Sequence, residues 1–491
     1  MAVLSQGSRG AEVEALQQQL IRLGFLSGDA DGDFGPLTAQ ALRDAQRRLG
    51  LEASGAVEAA TAAALAAALA RQPPSPSSGF GALHRQVQAE AARGLYSSEK
   101  FPFLDRGLAS SPFRSDLPRY GDRLADRVPA AELQPYPAPA ATFLAYPELG
   151  VVPPIVSGPS GLDFLSDAVA QACVCVGSHA ADRPLRVRWF GRNALADNVQ
   201  FWSASKFVAP LMLVCHLNRR HPGLPIGDTI VHSLDGSRSE SFADLFRDMV
   251  TYAERPQEFD GGGSNRIAYL FKKLLNDGEP DVETWLRSIT GNKQAQLMSW
   301  YGQWHPPDPP RPQDPPFFNP YADGVELRGP EGVLVGWRDL PLTRNWLSAY
   351  DLTRLLSMLG WHHALPAARR LPAAQWSSLA TLVEGLGHDP ARYLDVALEQ
   401  LGLQQAVAEP VILSKLGYGD HASDVPQAPA LTYAAFASFR DRRSTPARQR
   451  CFALALRIPT SVGLATALEH DTRMAAEVTE IVRRIFAEEL V

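Results

Sequence analysis

Apolar residues recur at helical spacing in two stretches near the start of the chain: Val13, Leu16, Leu20 and Leu23 on one stripe, Ala41, Leu42, Ala45 and Leu49 on a second. Steps of three and four place such residues on one helix face. Between them "GDADGDFG" is a tight polar turn, so residues 1–70 read as a small helical domain. From 71 to 160 the pattern lapses into Pro, Ser and Gly, as in "RQPPSPSSGFG" and "ELGVVPPIVSGPSG". That composition predicts linker or draped irregular chain rather than a core of its own. Over 161–491 helical segments return and then give way to alternation. In "CFALALRI" Phe452, Leu454, Leu456 and Ile458 fall on one side of a strand, and "LTYAAFASF" at 431–439 precedes it across the charged turn "RDRRSTPARQR". The end of the chain sets Met474, Val478, Ile481, Ile485 and Phe486 on one helical stripe. A helix packed on an antiparallel sheet follows, and the fold class is α+β.

Composition narrows the function. The chain has 491 residues, 45% of them hydrophobic, enough for a sizeable core. Its 47 basic and 53 acidic residues are interspersed and leave a net charge of −6, so nothing attracts nucleic acid or an anionic membrane. The apolar run "AATAAALAAALA" at 59–70 is too short and too rich in alanine to span a bilayer. The first twenty residues lack the basic start and continuous apolar stretch of a secretory signal. Four cysteines do not make a disulfide framework in a chain of this length. No Cys or His pair stands at zinc-ligand spacing, and His362 and His363 are adjacent rather than one turn apart. Asp29, Asp31 and Asp33 alternate like a calcium loop, yet Gln40 stands where a bidentate acid belongs, so they read as a solvated turn. Neither metal nor cofactor is expected.

One stretch carries candidate chemistry. "FWSASKFVAPLMLVCHL" at 201–217 places Ser203 three residues before Lys206, at the start of an apolar helix. Residues three apart share a helix face, so the hydroxyl and the amine can meet as nucleophile and base. The same Ser-x-x-Lys spacing at Ser97 and Lys100 is followed by Phe-Pro and no helical run, which shows how cheaply it arises. Two further elements follow: "GGGSNRIAYLF" at 261–271, with Ser264 and Asn265 before a helix, and "VILSKLGYGD" at 411–420, with Lys415 and Gly417 at a strand end. Taken singly, each has a plain structural reading. Ser203 and Asn265 are good helix caps, Lys206 can snorkel, and Lys415 can guard a strand edge.

Taken together they resemble known families. Gly7, Gly10, Val13, "LQQQLIRLGF", "DGDFGPLTAQAL", Gln46, "LGLEASGAV" and Thr61 resemble the three-helix peptidoglycan-binding domain across residues 3–68, with Ala45 where that family carries an aromatic. Ser-x-x-Lys, a Ser-x-Asn-like element and Lys-x-Gly, in that order over 170–491, resemble the serine β-lactamase and penicillin-binding-protein superfamily. The Pro-rich stretch at about 298–340 reads as an insertion. The resemblance implies three zones: a binding domain at 1–70, a linker at 71–160, and a hydrolase domain at 161–491 with an antiparallel sheet flanked by helices and an all-α subdomain.

It also implies a site. Ser203 would be the nucleophile, Lys206 its base, Asn265 the group orienting Lys206 and a substrate amide, and Lys415 beside Gly417 a source of positive field. Backbone N–H groups of Ser203 and Tyr418 would hold the oxyanion. Three departures stand out. Gly263 occupies the place of the proton-shuttling serine, with Ser264 one position on; Leu416 replaces a hydroxyl residue; and no glutamate is in register as a deacylating base, Glu331 being the nearest. The expected protein is a serine acyl-enzyme hydrolase in the cell envelope, acting on peptidoglycan-related D-alanyl amides or β-lactam-like compounds, with peptidoglycan or its fragments as partner. The alternative is a wall-binding protein whose larger domain has lost turnover.

Overall fold

A computed structural model of the chain describes residues 4–23, 25–26, 30–71, 79–96, 101–126, 131–180, 183–252, 263–276, 278–301, 324–419, 429–460 and 464–491. The chain forms two compact units, Met1–Ser77 and Ser78–Val491.

In the first unit, helices α1 (Ala11–Arg22), α2 (Pro36–Arg48) and α3 (Ala59–Arg71) enclose Val13, Leu16, Leu20, Phe34, Leu42 and Leu65. The two predicted stripes face this core, and Ala45 is fully buried within it. Two glutamine amides tie the connecting turns. Gln17 Nε2 donates to the Asp33 carbonyl and to Thr38 Oγ1, while its oxygen accepts from the Gly32 N–H. Gln46 repeats the arrangement with Ala56, Thr61 and Gly55. Asp31 is held by the Asp33 N–H and by Gln17, and those bonds pull its carboxyl below the usual range.

The second unit opens with α4 (Gly79–Ala92) and α5 (Tyr120–Ala125), then the short strands β1 (Leu133–Gln134), β2 (Leu144–Ala145) and β3 (Ile155–Val156). The hairpin β4 (Gln171–Ala180) and β5 (Arg183–Arg192) leads to α6 (Val208–Arg220), β6 (Ile230–Ser233), β7 (Ser239–Ser241), α7 (Phe242–Thr251) and α8 (Gly263–Lys273). Next come β8 (Leu274–Leu275), α9 (Val282–Thr290), β9 (Val325–Gly329), β10 (Gly332–Trp337), α10 (Ala349–Gly360), α11 (Trp376–Gly387) and α12 (Tyr393–Gln400). Strands β11 (Val407–Gly419), β12 (Ala430–Asp441) and β13 (Ala447–Pro459) and helix α13 (Leu464–Phe486) complete it.

The main sheet runs β11-β12-β13-β4-β5-β2, with β1 beside β13 and β3 beside β5. Its long strands pair antiparallel. Both faces are buried, and the alternation in β13 sorts them. Phe452, Leu454, Leu456 and Ile458 pack with Val478, Ile481 and Ile485 of α13, while Cys451, Ala453 and Ala455 join the core around α6 and α10. Fold class α+β, a helical unit followed by a helix-flanked antiparallel sheet, is what the structure has. The helical subdomain carries an addition, the small sheet β7-β6-β9-β10-β8, so it is not wholly α; β9 and β10 come from the expected insertion.

Several features of the 79–160 stretch depart from a bare linker. Leu83 and Val87 of α4 are buried in the α13 cluster, and β2 and β3 extend the sheet at β5. Further on, Asp471 of α13 accepts the N–H groups of Phe103 and Leu104. Cys173, Cys175, Cys215 and Cys451 are free, buried thiols. Among the described residues no helix is long and apolar enough to cross a membrane.

Close packing between sheet and α10 depends on missing side chains. A Cβ at Gly177 of β4 would lie 2.2 Å from the Trp361 ring, whose Nε1 donates to Cys451 Sγ. Gly177→Ala is therefore expected to lose about 1–3 kcal/mol of stability by overpacking. Gly336→Ala, where a Cβ meets nothing within 4 Å, should stay within about 0.5 kcal/mol. Urea unfolding of both variants checks the contrast.

Candidate active site

Ser203 and Lys206 are joined by a tighter turn than an α-helix. Trp202–Ser205 is a 3-10 turn that runs into α6, and the Lys206 N–H donates to the Ser203 carbonyl at 3.2 Å. With three residues per turn, side chains at i and i+3 eclipse, so this geometry stacks the serine and the lysine. The turn is fixed on both sides. Thr432 Oγ1 of β12 donates to the carbonyls of Phe201 (2.8 Å) and Gly417 (3.0 Å). A Cβ at Gly417 would sit 2.6 Å from the Ala204 nitrogen, so β11 passes the turn at a distance only glycine permits. Trp202, just before the serine, has φ 45°, a left-handed conformation costly for a bulky residue.

Lys206 is buried, and its ammonium lies among hydroxyls, an amide and rings. Nζ donates to Ser264 Oγ and to Asn265 Oδ1, each at 2.7 Å, and sits 5.1 Å from the Tyr252 ring centre and 5.5 Å from that of Tyr301. Burial, followed by the charges of Lys415 and Lys272, holds its pKa well below the ordinary lysine value. Ser264 is the first residue after the left-handed Gly263 that opens α8, and its hydroxyl donates to the Met249 carbonyl of α7 at 2.5 Å. Directed at Met249, that hydroxyl anchors α8 against α7.

Across the site, Lys415 points from β11 with no exposed surface. Its ammonium donates to the Tyr252 hydroxyl (2.8 Å) and the Leu416 carbonyl (3.1 Å) and lies 3.7 Å from Asp389 Oδ1. Asp389, in the connection from α11 to α12, also accepts from Ser414 Oγ (2.8 Å) and the Leu416 N–H (3.3 Å). Burial lowers the Lys415 pKa to about 8 against the pull of Asp389, and burial raises the Asp389 carboxyl.

The main-chain groups of Leu416 thus face away from β12, toward the open edge of β11. Groups two residues apart on a strand face the same way, so the Tyr418 N–H lies on that edge about 7 Å further along. The Leu416 side chain packs in the cluster under α13.

The structure brings Ser203, Lys206, Ser264, Asn265, Lys415 and Gly417 around one site. Glu331 lies apart from them by element, on the exposed turn between β9 and β10. The second Ser-x-x-Lys falls on residues 97–100, outside those described. Three participants escape the motif reading. Tyr252 ends α7 in a left-handed conformation, with φ 57°, and its hydroxyl accepts from Lys415 and donates to the Leu416 carbonyl. Asp389 holds Lys415. Lys272, buried in α8, donates to the Ser299 carbonyl and to Asn345 Oδ1 and lies 4.1 Å from the Tyr301 ring centre. No local signal marks any of them: a tyrosine closing an amphipathic helix reads as core, and "GHDP" around Asp389 reads as a turn.

Residues 9–65 match the family model of the peptidoglycan binding domain. Among solved structures, the SleB N-terminal domain is 39% identical over 14% of this chain and 92% of its own length, with a TM-score of 0.14. The TLA-1 extended-spectrum β-lactamase is 12% identical over 66% of this chain and 95% of its own, with a TM-score of 0.36. A class A β-lactamase from Bacteroides cellulosilyticus is 12% identical over 66% and 94%, with a TM-score of 0.32. No curated protein matches the chain. Through residues 9–65 the chain belongs to the peptidoglycan binding domain family, and that domain precedes a unit similar to class A β-lactamases.

Proposed function

We propose that the second unit is a serine hydrolase working through an acyl-enzyme at Ser203, on peptidoglycan-related D-alanyl amides or β-lactam-like compounds, and that the first unit holds it to peptidoglycan in the cell envelope. The observation that carries this reading is the convergence of one serine hydroxyl and two buried lysines from distant parts of the chain. A serine hydroxyl attacks a carbonyl only when a base takes its proton. Lys206 is suited to that work, because burial and the neighbouring charges of Lys415 and Lys272 favour its amine form over the ammonium. An amine has two N–H bonds and one lone pair, and donation to Ser264 and Asn265 uses both N–H bonds. The lone pair is then the proton acceptor. Lys415, kept cationic beside Asp389, supplies positive charge where negative charge develops.

The N–H groups of Ser203 and Tyr418 are assigned to the oxyanion. Such a donor typically stabilises the transition state by about 3 kcal/mol. Asn265 orients Lys206 and is available to a substrate amide from the start of α8.

A fluorescent penicillin and a fluorophosphonate are expected to label the protein at Ser203 and to leave Ser203→Ala unlabelled, while both proteins sediment with peptidoglycan. Sedimentation without labelling by either probe would favour the reading in which the second unit has lost turnover.

The rate of labelling should trace a bell against pH. It rises as Lys206 loses its proton, well below the ordinary lysine range, because only the amine is a base. It falls through about pH 8, where Lys415 loses its charge. A rate still climbing at the alkaline end would remove Lys415 from the mechanism.

A further inference from the structure

We propose that Asp471 is a positioning residue for the site: through the segment 101–111 it clamps the connection that carries Asp389, and so holds that carboxylate against Lys415. The inference rests on the acyl-enzyme reading above and gives a task to a segment whose composition marks it as linker. A carboxylate steers a lysine only while it is held beside it. Asp389 lies 3.7 Å from the Lys415 ammonium, yet it belongs to a short connection between α11 and α12 rather than to a regular element. Its place depends on what grips that connection.

Segment 101–111 grips it at three points. The Gly107 N–H donates to the Pro390 carbonyl at 2.9 Å, the Arg392 N–H donates to the Phe103 carbonyl at 3.1 Å, and Arg392 Nη2 donates to Ser111 Oγ at 3.1 Å. All three bonds act within three residues of Asp389. Arg392 is buried and reaches further: Nη1 donates to the Gly387 carbonyl at 3.4 Å and Nε to Asp395 at 2.7 Å. One side chain thus joins the end of α11, the start of α12 and the segment. Where the chain continues, a Cβ on Gly387 would lie 2.2 Å from Leu117 Cδ1, an approach that only glycine permits. The segment also reaches β11 directly, with the Phe101 ring edge-on to Tyr418 at 5.7 Å.

The segment is itself fastened at one buried side chain. Asp471 Oδ2 accepts the Phe103 N–H at 3.0 Å, and Oδ1 accepts the Leu104 N–H at 3.1 Å and the Tyr393 hydroxyl at 2.6 Å. Tyr393 opens α12, so Asp471 ties α13 to the segment and to the helix that follows the connection. Phe103 serves twice: its N–H goes to Asp471, and its carbonyl takes the Arg392 N–H. Anchor and clamp are therefore one residue apart. An asparagine cannot stand in for Asp471, because it has a single acceptor oxygen and an NH₂ group that would face other donors. A buried N–H without an acceptor is costly, and the segment would move to relieve it.

In the full chain, Asp471→Asn is expected to move the alkaline limb of penicillin labelling down from about pH 8 by roughly 1 pH unit, because a lysine with no carboxylate beside it gives up its proton sooner. Hydrogen exchange should quicken at 101–107, 389–392 and 414–416 and stay as in the wild type at 447–459, which separates a loosened clamp from a damaged sheet. A limb still at about pH 8, whether labelling is slower or unchanged, overturns the positioning role and leaves the acyl-enzyme reading standing. If neither the penicillin nor the fluorophosphonate labels the wild type, the acyl-enzyme reading falls. Exchange at 414–416 then decides the clamp alone: faster in the variant sustains it, and unchanged overturns it. Should Asp471→Asn fail to fold, Ser111→Ala removes one of the three bonds to the connection and leaves Asp471 in place. It should shift the limb in the same direction by less, and an unshifted limb overturns the proposal.

Discussion

Two ammonium groups buried around a single phenol cannot both keep the charge they would have in water. Each loses hydration on burial, and each raises the cost of charging the other. The structure separates their fates by unequal partners. Lys415 has a carboxylate within 4 Å, whereas Lys206 has a hydroxyl, an amide oxygen and two aromatic rings. One is held toward the cation and the other toward the amine, and every role assigned to the site depends on that division. Asp389 thus matters to the proposed chemistry as much as the lysines do, although it lies in the connection between two helices.

The division survives only if the groups stay in place, and the fold supplies the restraint. Ser203 and Lys206 come from one 3-10 turn, Ser264 and Asn265 from the start of α8, Tyr252 from the end of α7, and Lys415 from the middle of a strand buried on both faces. Thr432 ties that strand and the serine turn together by bonding to both. Large side chains under α13 and small ones toward α10 let the sheet be covered on two sides, so β11 has little freedom to shift. Lys272 and Tyr301 extend the same packing behind Lys206, with Tyr301 also bonded to Ser205.

What could be read from the sequence is what is local. The period of two in "CFALALRI", the stripe ending in Phe486 and the three-residue step from Ser203 to Lys206 all act within a few residues, so they are legible without a structure. Unit one was legible because spaced residues such as Gln17 and Gln46 each tie a nearby turn. Tyr252 was not, since its partners lie at 415 and 416 and nothing next to it hints at them. Asp389 was hidden in the same way. Leu416 misled in a different sense: its replacement of a hydroxyl looked like a deficit at the site, yet its side chain belongs to the α13 cluster and its main chain does the work. Helix α4 was obscured by composition, because only Leu83 and Val87 make its buried stripe amid Pro, Ser and Gly.

Strand β11 closes one end of the described sheet, with β12 on one side only. Such a margin invites a foreign strand to zip on and seed aggregation. Here the Leu416 amide is given to Asp389 and its carbonyl to Tyr252 and Lys415, which interrupts the ladder midway. An intruding chain therefore finds no long run of pairing, while a short ligand needing a single step of backbone contact still does. The contacts that tune the lysines also leave this strand poorly suited to edge-to-edge pairing.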